Sequence, residues 1–339
     1  SILGIILYYG VVLPIKEKQG VSGALLLGYG IVIPSALYIP FEIVDILNIQ
    51  SVLIRLGSIS ISMTIPLRCL EAMHGHSDNC KSWRDYVLAT SFIFRPAMNE
   101  ERQFQPITSR FLIRNIQKYV YYMAILCVLC SILSPLDYTP FPNSLHQSDR
   151  TIISLHWGDW YNAFVLATLI NETLQLSMSG AASLAGLYTK TQYDYENITN
   201  YPMFLSSSPS DFWGRRWNNL IHSDLKRGVY IPCRKRIGSK VVAGLATFIM
   251  SGLLHEHVWM VLFFDKDSYW FGKQLLFFGW NGILVSLEYL LGERIGRLMS
   301  KQHFPRIILS HLVVLLALPL AHLFTMDFQL ADGFITLQQ

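Results

Sequence analysis

Two histidines, His255 and His257, interrupt the apolar run "KVVAGLATFIMSGLLHEHVWMVLFF" at 240–264. An ionisable side chain deep in such a run is costly unless it faces a cavity or a partner. His255 lies three residues past the middle of the run, about 5 Å along a helix axis. Side chains two apart on a helix point about 200° apart, so His255 and His257 are poorly placed to share one metal ion. The H-E-x-x-H spacing is also absent, and no metal site is expected. Two readings of His255 remain. It is either a buried histidine satisfied by a carbonyl or a general base. A desolvated imidazole stays neutral at pH 7, and neutral imidazole can take a proton from a hydroxyl. Ser251, four residues earlier, shares its face, while Gly244 and Gly252 would let a neighbouring helix approach. No G-x-S-x-G elbow exists to supply a nucleophilic serine. A base without a nucleophile fits direct transfer, in which an alcohol attacks an activated acyl group while His255 removes its proton. Such a step also needs an amide donor to orient the reacting groups or steady the oxyanion. Asn218 is the candidate; the alternative is an ordinary surface amide.

Asn218 closes an unusual stretch, "SPSDFWGRRWNNLIHSD" at 208–224. Across 208–240 the acids are Asp211 and Asp224. Against them stand Arg215, Arg216, Lys226, Arg227, Arg234, Lys235, Arg236 and Lys240, interleaved with Phe212, Trp213, Trp217 and Tyr230. One reading is topological: tryptophans anchor the headgroup zone and basic residues fix orientation. The other is a polyanion dock, in which guanidinium forks and ammonium charges hold the phosphates of a soluble cofactor. Nucleic acid is not an expected partner for a basic stretch pinned to a membrane.

The elements that must position these residues are apolar. Charged residues make up 15% of the 339 residues, against about a quarter in soluble domains. Eight apolar segments approach the ~20-residue bilayer length: 2–14, 21–39, 51–68, 119–136, 155–186, 241–264, 269–292 and 307–326. The first lacks a basic leader and a cleavage pattern, so it reads as a clipped span rather than a signal peptide. The fifth is too long for one straight crossing and must tilt, break or extend beyond the membrane. If the sides alternate, 15–20, 68–118, 187–240 and 293–306 share one side and hold 23 of the 27 Lys and Arg. Basic loops stay cytoplasmic, so 187–240 faces the cytosol. The acceptor motifs at Asn171 and Asn197 should then carry no glycan. Arg110, Arg114 and Lys118, spaced by four, suggest an amphipathic helix lying at the interface. Cys127 and Cys130 share a helix face but have no second ligand pair, which fits membrane packing. Asn162, Asn171, Glu172 and Gln175 in the fifth span either line a chamber or hydrogen-bond neighbouring helices. The expected fold is a single all-α polytopic membrane domain over 1–339. It has about eight transmembrane helices plus amphipathic interfacial helices around an intramembrane chamber, and 187–240 is its cytosolic basic and aromatic segment.

"SSPSDFWGRRWN", followed by a span containing "SGLLHE", resembles the wax-synthase branch of the membrane-bound O-acyltransferases. "RCLEAMHG" at 68–75 and "SWRDYVLATSF" at 82–92 resemble the same branch, so the resemblance covers roughly 68–265. It implies a multispanning endoplasmic-reticulum enzyme that moves an acyl group from acyl-CoA, as co-substrate, to a hydroxyl in a membrane-embedded chamber. It also implies His255 as the base and Asn218 as its partner, with Trp213, Arg215, Arg216 and Trp217 shaping the CoA entry. Lys226 and Arg227 extend the basic dock for the CoA phosphates. No permanently bound cofactor is expected; the acceptor is a lipophilic alcohol, a sterol or a terpenoid. Two rival readings stand beside it: a non-catalytic membrane subunit that keeps the fold, and a lipid or small-molecule transporter. A transporter would show broken helices in matched halves, and the sequence shows no such symmetry.

Overall fold

The computed structural model describes residues 2–49, 51–76, 82–90, 94–99, 101, 103–134, 157–194, 198–199, 205–263, 271–299 and 306–325. Apart from one two-stranded sheet, the named elements are helical. Among the described residues, five helices are long and apolar enough to cross a membrane: Val21–Ile46, Ser109–Leu133, Lys240–Val261, Lys273–Gly292 and Ile307–Phe324. They fall on five of the apolar segments read from the sequence. The chain divides into two compact units.

The first unit comprises Ser1–Ile107, Ala185–Tyr195 and Leu220–Phe271. Its core forms where Val32 and Ala36 of the first candidate span meet Ile65, Cys69 and Met73 of the helix Val52–Met73, with Leu7, Val11 and Val12 from the N-terminal helical run packed against them. The helix Lys240–Phe263, which carries His255, joins through Leu254, buried with Leu67 and Leu225, and through Val261, buried with Val44 and Ile59. Leu254 and Val261 lie seven residues apart, two turns along one face. The sheet is small: Arg95–Pro96 pairs antiparallel with Tyr193–Asp194, in the register Arg95↔Asp194 and Pro96↔Tyr193. It fixes the backbone that carries Arg95.

The second unit comprises Thr108–Leu184, Glu196–Asn219 and Gly272–Gln339. Thr108 caps Ser109–Leu133 by accepting from the Phe111 N–H at 3.2 Å. The sequence suggested an interfacial helix at Arg110–Lys118 followed by a span. Instead both are one unbroken 25-residue helix, because nothing between Lys118 and Tyr119 breaks the helical period. Trp157–Thr189 is likewise a single helix, 33 residues long. At about 50 Å it is longer than a hydrocarbon core of about 30 Å, and of the expected options it does not break. Within the second unit this helix meets Arg306–Ala317 where Trp160 and Phe164 pack around the His311 ring, at 5.2 and 5.3 Å between centroids.

Candidate active site

The expected site residues divide between the units. His255, Lys226 and Arg227 belong to the first; Trp213, Arg215, Arg216, Trp217 and Asn218 belong to the second.

His255 is half-buried, and its Nδ1 lies 2.8 Å from the Ser251 carbonyl oxygen one turn earlier. A carbonyl only accepts, so this bond assigns the ring proton to Nδ1. In the neutral ring the lone pair is then on Nε2, the nitrogen that could receive a proton. The helix therefore supplies both the ring's position and its tautomer. Ser251 contributes through its backbone, not through the hydroxyl that makes it conspicuous in the sequence.

The stretch around Asn218 is built stepwise. Ser208 caps a short turn, Pro209–Asp211, by accepting from the Asp211 N–H at 3.2 Å, with proline at the first helical position where its missing N–H costs nothing. The chain then widens into a π-helical turn, Phe212–Arg216. The stretch is tied to the helix Lys273–Met299 at two places two turns apart. Glu288 accepts from the Ser210 N–H at 2.8 Å and from its hydroxyl at 2.6 Å. Asn281 accepts from the Trp213 indole N–H at 3.0 Å. The Trp213 ring also meets Phe277 and Phe278 edge-on, and Trp217 stacks on Phe212 at 5.6 Å. Directly after Trp217, Asn218 adopts φ 45°. This is the left-handed region, which asparagine tolerates better than most residues. The next residue turns back into helix, with the Asn219 N–H donating to the Ile198 carbonyl at 2.9 Å. Backbone held in this way at a helix break is a recurrent mark of functional positions.

The two arginines of this stretch differ. Asp211 holds Arg216 at 2.9 Å and Arg215 at 3.1 Å, but the Arg215 side chain is 73% exposed and that of Arg216 16%. Burial alone would raise the Asp211 carboxyl; the Ser207 N–H, Arg216 and Arg215 outweigh it and hold the group below its ordinary value. Arg216 is thus largely committed to its acid, whereas Arg215 presents its charge outward.

Lys226 and Arg227 open a second π-helical turn, Lys226–Tyr230. Lys226 is exposed. Arg227 is not simply a surface charge: it donates to Glu71 at 2.9 Å and to Asp224 at 3.2 Å. Arg68 reaches the same two acids at 3.2 and 3.0 Å, and Arg95 reaches them at 2.7 and 3.3 Å. Three guanidiniums each bridge two buried carboxylates. Gly228 lets this turn approach Val52–Met73: a Cβ there would lie 3.2 Å from Leu70 Cβ. The sequence marks Arg227 and Asp224 only as members of the basic segment, and does not mark their pairing with Arg68, Glu71 and Arg95. The local traces of the cluster are two pairs three apart, Arg68 with Glu71 and Asp224 with Arg227. Close by, positive charge accumulates. His76 is held below its usual value first by burial, then by Lys235 and Arg227; His74 by burial, then Arg236 and His76. Such a field suits a phosphorylated ligand.

Residues 195–280, which include both the Asn218 stretch and the His255 helix, match the Membrane bound O-acyl transferase family. The chain resembles the wax-synthase-like branch of this family. Among similar Arabidopsis thaliana proteins, "Probable long-chain-alcohol O-fatty-acyltransferase 9" is 35% identical over 102 residues, 28% of this chain and 29% of that protein. "Acyl-CoA--sterol O-acyltransferase 1" is 28% identical over 134 residues, 38% of this chain and 37% of its own. "Putative long-chain-alcohol O-fatty-acyltransferase 10" is 27% identical over 157 residues, 44% and 42% of the two chains. The chain thus matches less than half the length of each of these relatives.

Proposed function

We propose that the protein is an acyl-CoA-dependent O-acyltransferase that esterifies a lipophilic alcohol. A long-chain alcohol, giving a wax ester, is the favoured acceptor, and a sterol or terpenoid alcohol is the other option. The observation that carries this reading is the match of residues 195–280, which hold both His255 and Asn218, to the Membrane bound O-acyl transferase family; the Ser251 carbonyl at Nδ1 suits a structural histidine as well and leaves Nε2 as the nitrogen for the base role. The relatives named for acyl transfer to long-chain alcohols and to a sterol support the same reaction class.

In the proposed reaction, Nε2 takes the proton of the acceptor hydroxyl as its oxygen attacks the thioester carbonyl. The tetrahedral intermediate collapses, the carbon–sulfur bond breaks, and the imidazolium returns the proton to the departing CoA sulfur. The products are an ester and free CoA. Asn218 supplies the amide that orients the reacting groups or steadies the oxyanion. Trp213 and Trp217 form the aromatic wall of the CoA entry, and Arg215, Arg216, Lys226 and Arg227 supply its positive field. Arg215 and Lys226, which face outward, make the phosphate contacts; the other two shape the site from within their ion pairs. The proposed topology has about eight spans around the chamber in the endoplasmic-reticulum membrane, with the basic loops cytosolic. Keeping bulk water out of the chamber protects the thioester from hydrolysis.

The test is direct. Purified protein is given radiolabelled acyl-CoAs of several lengths with a panel of fatty alcohols, sterols and terpenoid alcohols, beside His255→Ala. Ester should form with at least one acceptor class and fall by about 10²–10⁴-fold in the variant, the span of general-base contributions. Ester formation undiminished by the substitution would remove His255 from the mechanism.

A further inference from the structure

The helix Trp157–Thr189 buries a lane of polar side chains. Asn171, Gln175 and Ser179 recur every four residues, with Glu172 beside the first, and each of the four is at most 5% exposed. On a membrane helix, polar groups on the buried face serve either neighbouring helices or a ligand. The structure separates these roles residue by residue. Asn171 is engaged at both ends of its amide: Oδ1 accepts from the Thr199 hydroxyl at 2.7 Å, and Nδ2 donates to Glu172 at 2.9 Å. Ser179 donates to the Leu176 carbonyl at 2.8 Å. The Thr199 bond ties the helix to another segment of the second unit, the other two stay within the helix, and all three explain themselves as structural. Gln175 is different. It is 1% exposed, yet neither Oε1 nor Nε2 has a hydrogen-bond partner among the described residues. One turn further on, Gly180 admits the Tyr119 ring of Ser109–Leu133, 3.2 Å from where a Cβ would stand, so the packing beside the lane is already close.

A buried amide that satisfies neither end forfeits its hydration with no return. If Gln175 served only as a spacer, leucine would do better there. We propose that Gln175 is a binding residue for the hydroxyl end of the lipophilic acceptor. A hydroxyl is donor and acceptor at once, so it can give to Oε1 or receive from Nε2. A hydrocarbon tail or a methyl ether cannot give to Oε1. Asn171, fixed by Thr199 and Glu172, positions the turn of helix from which Gln175 projects. This inference rests on the acyltransferase reading for the identity of the ligand, but hydroxyl recognition can be measured without turnover.

The experiment compares wild type with Gln175→Leu and Gln175→Glu on two readouts. The first is binding of a long-chain alcohol and of the methyl ether of the same length, measured without acyl-CoA so that no turnover intervenes. The second is thermal unfolding. With Gln175 as a hydroxyl ligand, the parent should prefer the alcohol by about tenfold, the worth of one well-made neutral hydrogen bond. Gln175→Leu should abolish that preference while leaving the unfolding temperature unchanged or higher. Gln175→Glu, which keeps an acceptor, should retain part of the preference. With Gln175 as helix glue, Gln175→Leu would lower the unfolding temperature and leave the preference intact, and the inference would fall. Equal binding of alcohol and ether by the parent would also overturn it. Absence of ester formation in active-site wild type, with the hydroxyl preference present, would defeat the acyltransferase reading while leaving this site standing.

Discussion

Asp224 and Asp211 are the two acids of the basic segment 208–240, and each gathers arginines. Their surroundings differ. Asp224 shares Arg68, Arg95 and Arg227 with Glu71, and both carboxylates are sealed from solvent. The pairing joins residues more than 120 positions apart and pins the second π turn to Val52–Met73. Asp211 instead holds Arg215 and Arg216 four and five residues away, plus the Ser207 N–H. It shapes one local turn and leaves Arg215 mostly in solvent. The comparison teaches that a run of arginines is not one functional unit. Arg227 and Arg216 carry structure, and of these three Arg215 is the guanidinium most open to solvent.

The sharpest way to test this contrast is to remove each acid. Asp224→Ala leaves three guanidiniums around one carboxylate, and breaking a buried ion cluster on one side costs about 3–5 kcal/mol. Denaturation in detergent should show a loss of that size; a loss under about 1 kcal/mol would mean the cluster is not the buried lock described. Asp211→Ala should cost less, about 1.5–3 kcal/mol, the range for charge-assisted hydrogen bonds. Its pH dependence gives a second handle. The folded carboxyl titrates below its unfolded value of 3.8. The stabilisation is therefore complete above that value and is lost as pH falls through the lower folded one. Acid unfolding of the parent should steepen below about pH 4, and Asp211→Ala should flatten that limb. The smallest stability effect belongs to Arg215→Ala, within about 0.5 kcal/mol for an exposed pair. In the proposed reaction its signature is kinetic: KM for acyl-CoA should rise severalfold while KM for the acceptor is unmoved. Equal changes in both would return Arg215 to a role in membrane orientation.

Much of the architecture was legible because apolar length is a local signal. The segments 21–39, 241–264, 269–292 and 307–326 lie on helices long and apolar enough to cross a membrane, and the over-long segment 155–186 lies on the single helix Trp157–Thr189. The Ser208–Pro209 start could have been read too, since a capping serine followed by proline is a strong helix entry. What escaped was non-local. Nothing near Arg95 announces that a two-residue strand carries it to Glu71 and Asp224, because that pairing is set by packing between distant segments. The spacing of Arg110, Arg114 and Lys118 suggests an interfacial helix, but it does not say where that helix ends, and helical hydrogen bonding continues through the charged positions into Leu133. The carbonyl contact of His255 is one of the two readings open in the sequence; the rotamer that directs Nδ1 to the Ser251 carbonyl is what the structure adds.

The left-handed backbone at position 218 changes how an alanine scan of this stretch would have to be interpreted. Alanine there would delete a carboxamide and also force a methyl-bearing residue into a conformation that costs about 1 kcal/mol or more, so any deficit would mix two causes. Glycine adopts the same torsion without penalty, and the difference between the two replacements isolates the cost of the bend from the chemistry of the group it carries.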